Sequence, residues 1–282
     1  AADVGTWLRL TNASGSRGAA WYAHPLPVAK GFETSFRLLF LDPTGPDTAA
    51  SFQAAGGLAL VIHTDALGTG AIGCAGFGVG FRADPNPYAK CARRIRHGVA
   101  VAVLPDRVEV VRTETDFLQP LAAAYYAWPA RLDDGAAHSV RVTYYEQGGG
   151  LLTVYIDHNP LPLLQTPLDL QASALNGTLP EARRAADRAG STASHGLVGF
   201  TAASGGGAAA RLARDAALAL GPRGEMAATA SAGVLSDGHE GQVAVELLEW
   251  QLATTEVAAR VTAEQLRLMA QDQAAMPDQS AA

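Results

Sequence analysis

The chain predicts an all-β fold, an antiparallel sandwich of two sheets, on three features. Apolar residues recur at every second position, turn signals rich in glycine, proline and aspartate return roughly every ten residues, and helix-period stretches are confined to two inserts and the tail. Phe32, Thr34, Phe36, Leu38 and Phe40 alternate with Glu33, Ser35 and Arg37, so one face of that strand is buried and the other wet. Leu58 to Ile62 is apolar without alternation, as expected of a strand covered on both faces. Val99, Val101 and Val103 form the next strand, and Val108 with Val110 another. Val140, Val142 and Tyr144 pair with Leu152, Val154 and Ile156 across Gly148-Gly149-Gly150. A strong strand, Val243 to Trp250, comes last.

Two inserts, residues 171–195 and 205–241, interrupt the sandwich. In the first, residues 179–190 read as one short helix, capped by Thr178, with Pro180 in its first turn and Gly190 at its stop. The second opens on Gly205-Gly206-Gly207 and is rich in alanine; AAARLARDAALAL reads as helical and the rest as a loop. From Thr254 to Gln273 the chain reads as an amphipathic helix, with Val257, Val261 and Leu268 on one side and Thr262 with Gln265 as a capping box. It would dock a partner or pack on its own domain. The expected division is a sandwich over residues 1–252 and a helical tail over 253–282.

Bulk properties exclude several classes. A chain of 282 residues, 48% hydrophobic and 17% charged, buries a large core. A net charge of −6 without a basic stripe argues against nucleic acid, and Arg93-Arg94-Ile95-Arg96 reads as a solvated loop. No apolar run reaches the roughly 20 residues that span a bilayer. The sequence starts at Ala1 with no signal-peptide pattern, which fits a mature secreted form or a piece of something longer. Cys74 and Cys91 flank Asp84-Pro85-Asn86-Pro87; a disulfide between them would close that loop, and two unrelated buried thiols is the alternative. The sequons Asn12-Ala13-Ser14 and Asn176-Gly177-Thr178 lean with the cysteines toward an extracellular or cell-surface setting. An intracellular assembly is the alternative.

Residues 56–81, GGLALVIHTDALGTGAIGCAGFGVGF, carry the densest signal: a buried strand, a loop with Asp65, then a second, glycine-paved strand. This order resembles the signature region of the legume-type (L-type) lectins, whose fold is the concanavalin A-like sandwich, a jelly roll. Further segments are similar in the same order: Gly18 to Tyr22 with Pro25 to Val28, Phe32 to Phe36, Leu132 to His138 before VRVTYY and LLTVYID, Gly196 to Gly205, and Leu247 to Leu252. The resemblance covers about residues 7–252. It implies that Asp65 holds a sugar, with the glycine loop at Gly73 and Gly76 beside it; Tyr88 in the neighbouring loop would stack on a sugar ring. A solvated loop carboxylate and ordinary packing are the bland alternatives.

The family's metal site is the point of departure. Its strand after the signature carries a glutamate and, two residues on, an aspartate, which help bind calcium and a transition metal. Here the matching strand is Val99-Ala100-Val101-Ala102-Val103-Leu104, and Ala102 and Leu104 offer no oxygen to a hard cation. The ligand loop has shrunk to Pro105-Asp106-Arg107. No metal and no other cofactor is expected. Related glucanases carry Glu-x-Asp-x-x-Glu on one strand; Glu114, Asp116 and Gln119 match it except at the last position, where glutamine is no proton donor. The reading is a non-enzyme: a carbohydrate-binding module whose partner is a glycan or glycoprotein, or else a lectin-like domain kept for contacts with neighbouring protein subunits.

Overall fold

A computed structural model describes residues 8–11, 15–41, 56–83, 91–113, 120–126, 131–176, 194–204, 244–254 and 258–261. Two antiparallel sheets stack face to face. Sheet A contains β1 (Leu8–Arg9), β3 (Gly31–Leu41), β8 (Ala137–Tyr145), β9 (Leu151–Ile156), β10 (Leu164–Pro167), β12 (Ala244–Thr254) and β13 (Ala258–Val261). Sheet B contains β2 (Arg17–Trp21), β4 (Gly57–His63), β5 (Gly98–Val103), β6 (Arg107–Arg112), β7 (Ala122–Tyr125) and β11 (Leu197–Ala203). The order in A is β1-β12-β3-β8-β9-β10, and in B it is β2-β11-β4-β5-β6-β7. The chain therefore crosses repeatedly between sheets, and the result is the expected jelly-roll sandwich.

The inward residues of both sheets form one core. Phe36 meets Phe200 with ring centroids 4.9 Å apart, and Phe200 meets Trp250 at 5.2 Å. Trp250 would bury its indole N–H unpaired, but it donates to Thr34 Oγ1 at 2.7 Å, and Thr34 donates onward to the Gln251 carbonyl. Each such side chain contributes roughly 1.5–3 kcal/mol by leaving water. In the β8–β9 hairpin, Gly150 has φ +83° and a Cβ there would lie 2.0 Å from the Leu168 carbonyl, so only glycine fits.

Two expectations are corrected. No second strand follows the Asp65 loop. Residues 68–80 instead make two single-turn 3₁₀ helices, Gly68–Gly70 and Gly76–Gly78, because Gly68, Gly76 and Gly80 take positive φ and break the extended run. The tail helix is also wrong over the described part. Ala258–Val261 is a strand on the edge of β12, with Val261 opposite Trp250 and Ala258 opposite Ala253. An open ladder edge outweighed a helical pattern of only a few apolar positions. The sandwich thus runs past residue 252. The rest of the tail and the second insert lie outside the described residues, as does the helix expected at 179–190. The first insert begins with α1 (Leu170–Ala174), whose N-cap Asp169 accepts from the Ala172 N–H.

Candidate functional site

Between β4 and β5 the chain lies across the outer face of sheet B as a strap, over described residues 64–83 and 91–97. Its apolar residues Ala71, Val79, Phe81 and Ile95 pack on outward-facing Ala59, Val61, Ala100, Ala102 and Val111, making a second core. This explains why β4 and β5 are buried at every position. Ile95, from the cluster read as a solvated loop, is fully buried there.

Asp65 closes the base of the strap. Its Oδ1 accepts from the Leu67 N–H at 2.8 Å and its Oδ2 from the Arg96 N–H at 2.6 Å, while Thr64 N–H donates to the His97 carbonyl. The carboxylate is 4% exposed, each oxygen keeping a lone pair beyond its backbone bond. Asp65 N–H in turn donates to His63 Nδ1 at 3.1 Å, which leaves the imidazole proton on Nε2. Among the described residues that Nε2 has no hydrogen-bond partner. His63 packs edge-to-face on Trp21, centroids 4.4 Å apart. Burial opposes its charged form and only partly yields to the Asp65 charge, so its pKa falls to about 4.

Gly73 and Gly76 lie farther along the strap than Asp65. A Cβ on Gly73 would sit 2.5 Å from the Phe81 backbone carbon, so Gly73 permits close packing; its N–H donates to the Gly80 carbonyl. Gly76 has φ +60° and open space around its Cα, and its N–H bonds the Ser204 carbonyl at the end of β11. Val79, a β-branched residue at φ +48°, is strained, and its carbonyl accepts from Thr201 Oγ1 at 2.8 Å. Tyr88, Asn12, Glu114, Asp116 and Gln119 lie outside the described residues. Asn176 is exposed just after α1.

Two further ties hold the strap. Cys74 and Cys91 form a disulfide, Cα atoms 5.9 Å apart. Arg82 Nη2 bonds Glu109 Oε2 at 3.1 Å, with side chains only 3% and 9% exposed. Glu109 lies directly across from Ala102, and its other oxygen takes Arg107 Nε at 2.7 Å. Asp106 is paired as well, to Arg107 Nη1 at 2.9 Å. Where the resemblance would put metal ligands, Ala102 and Leu104 are buried aliphatic groups and the nearby carboxylates are occupied by guanidinium groups. This donor set does not fit a divalent cation. Sequence reasoning missed His63, Arg82, Arg107 and Glu109; Arg82 and Glu109 stand 27 residues apart with no local spacing to link them.

A separate polar cluster ties the start of β8 to the end of β9. His138 Nδ1 contacts Asp157 Oδ2 at 2.8 Å and His138 Nε2 contacts Asp134 Oδ1 at 3.0 Å. Burial lowers the imidazole's pKa, but the two carboxylates outweigh it and the net direction is upward. With both nitrogens engaged, this histidine is a clasp between turns.

No protein-family model matches the chain, and no curated protein sequence matches it. Among solved structures it is similar to the carbohydrate recognition domain of Emp46p in its metal-free form, at 11% identity and a TM-score of 0.46 over 88% of this chain and 82% of that one. It is also similar to the endo-β-1,4-glucuronan lyase from the fungus Trichoderma reesei, at 12% identity and 0.39 over 94% and 92%. The endo-1,3-β-glucanase from Streptomyces sioyaensis follows, at 10% identity and 0.42 over 88% and 76%. Likenesses at this level assign no activity and no family.

Proposed function

We propose that the protein is a non-catalytic carbohydrate-recognition module of L-type lectin kind that works without calcium or a transition metal. The observation that carries this reading is how the strap is held. In a lectin of that kind, metals fix the sugar-facing loop. Here a disulfide, the Arg82–Glu109–Arg107 ion network and the Asp65 backbone bonds supply the fixing. A pre-fixed loop spares the ordering cost of binding. Asp65, held rigid with a lone pair left on each oxygen, is the acceptor for sugar hydroxyls. The disulfide also supports an oxidising setting, extracellular or cell-surface. The test is a glycan array with and without chelator: glycan binding that survives chelator and is lost in D65N supports the reading. Chelator-sensitive binding overturns its metal-free part, and a blank array overturns recognition itself.

One observation favours a second reading, a lectin-like domain kept for contacts with neighbouring subunits. Asp65 is almost wholly buried and already satisfies three groups at the strap's base. Under that reading D65N lowers the melting temperature but changes no glycan signal.

A further inference from the structure

The connection from β9 to β10 opens with a four-residue turn, Ile156 to Asn159, closed by the Asn159 N–H donating to the Ile156 carbonyl at 3.0 Å. Both central residues have positive φ, Asp157 at +52° and His158 at +56°, the type I′ pattern that glycine fills most easily. Neither is glycine, so the backbone is held in a left-handed conformation that costs L residues free energy. The neighbouring start of β8 does the holding. Asp157 N–H donates to the Ser139 carbonyl at 2.8 Å, Ser139 N–H returns a bond to Asp157 Oδ1 at 3.0 Å, and Asp157 Oδ2 meets His138 Nδ1 at 2.8 Å. On its other side His138 Nε2 reaches Asp134 Oδ1 at 3.0 Å. An ionised carboxylate only accepts, so an imidazole between two of them donates from both nitrogens and carries a full charge. A neutral ring has one N–H and one lone pair, and would set that lone pair against a carboxylate oxygen.

We infer that His138 is a pH-operated latch on the β9–β10 connection: its imidazolium keeps the strained turn shut, and loss of the proton lets the turn relax. Burial opposes the charge, but Asp157 and Asp134 outweigh it through their hydrogen bonds and charges and lift the ring above the ordinary 6.5. The other groups at this end are neutral or already matched. Leu38 stands opposite His138 on β3, and the Tyr126 phenol, near Asp106 and Asp157, stays protonated. Asp106 pairs with Arg107, and Asp133 with Arg131. The latch is therefore shut below the raised value and opens as pH rises through it. What it releases is the segment after the turn. There Leu161, between Pro160 and Pro162, is 73% exposed, the most exposed large apolar side chain among the described residues, and its N–H donates to Asn159 Oδ1 at 3.0 Å. Leu161 is presented in one fixed place below the transition and freed above it.

Nuclear magnetic resonance of the full chain tests this, with the His138 ring shift following the proton and backbone amide relaxation following the loop. Order parameters at Asp157, His158, Asn159 and Leu161 are expected at about 0.85 below the histidine titration and under about 0.6 above it, in step with the ring shift. Gly148 to Gly150, at the other end of β9, should not change. H138Q puts an amide that cannot take up the charge in the ring's place, and its loop should be mobile at both pH values. H158G should keep the loop ordered at both, because glycine takes a φ of +56° without cost. Unchanged resonances in β3 and β4 confirm that both variants fold. The latch is overturned if the wild-type loop has the same order on both sides of the titration, if H138Q still switches, or if H158G loosens as the wild type does.

Discussion

Sheets A and B each turn one face inward to the common core, but their outward faces differ. On sheet B the outward side chains are small and apolar, Ala59, Val61, Ala100 and Ala102, and the chain's own strap lies over them. On sheet A they include Glu33, Arg141, Tyr145 and Tyr155, half-exposed or exposed. An outward face built of small residues accepts a second layer of backbone; one built of long polar and aromatic residues holds other backbone off and meets solvent. A second layer must also be tied down, and on the B side the disulfide and the Arg82–Glu109–Arg107 network do this.

Removing those ties breaks the comparison, and the largest effect is expected at Glu109. E109Q takes from the buried Arg82 the carboxylate it shares with Arg107, a loss of about 3–5 kcal/mol in denaturant unfolding; a loss below about 1 kcal/mol would mean that the strap does not depend on the network. Reducing the disulfide, or C74S/C91S, should cost about 3 kcal/mol. Amide exchange should quicken at Gly80 and Arg96 but not in β8 and β9, and equal quickening in both would contradict a strap-specific tie.

Acid gives the next effect. His63 stays neutral in the folded protein down to about pH 4, whereas the unfolded residue protonates near 6.5. Between those values the unfolded chain binds more protons, so stability falls as pH drops through the window, by about 3 kcal/mol in total. H63Q should flatten that limb in chemical denaturation, and an unchanged slope would refute the assignment. His138 acts in the opposite sense: its raised pKa stabilises the fold below the ordinary histidine value and is lost as pH rises through the raised one. The smallest effect belongs to sheet A's outer face. R141A should change stability by about 1 kcal/mol or less, because its ion pair with Glu33 is half-exposed; a larger loss would show that this face is as built-in as the covered one.

The sandwich was legible because alternation is a local signal. Phe32 to Phe40 and Val140 to Tyr144 announce their inward faces within one strand, and the unbroken run Leu58 to Ile62 announced a doubly covered strand. What covers it was not legible. Arg82 with Glu109, Trp21 with His63, and His138 with Asp157 meet through the fold across long separations, and spacing says nothing of such pairs. Asp65 stood out in the sequence by its place after a buried strand, while its bonds to Leu67 and Arg96 needed coordinates. Glycines were misread as strand paving because composition reports neither the sign of φ nor where a chain turns. Ala258–Val261 was misread because four residues took their conformation from a neighbour's open edge.

That neighbour, β12, has a further consequence. Along one edge it pairs with β13 from Ala253 to Trp250 and then with β1 at Leu247 and Glu246, both antiparallel to it. The two therefore run in the same direction, end to end, with only the Trp250-to-Leu247 step, roughly 10 Å, between Val261 and Leu8. They are two halves of a single edge strand, so the first and the last described strands are anchored end to end on one neighbour.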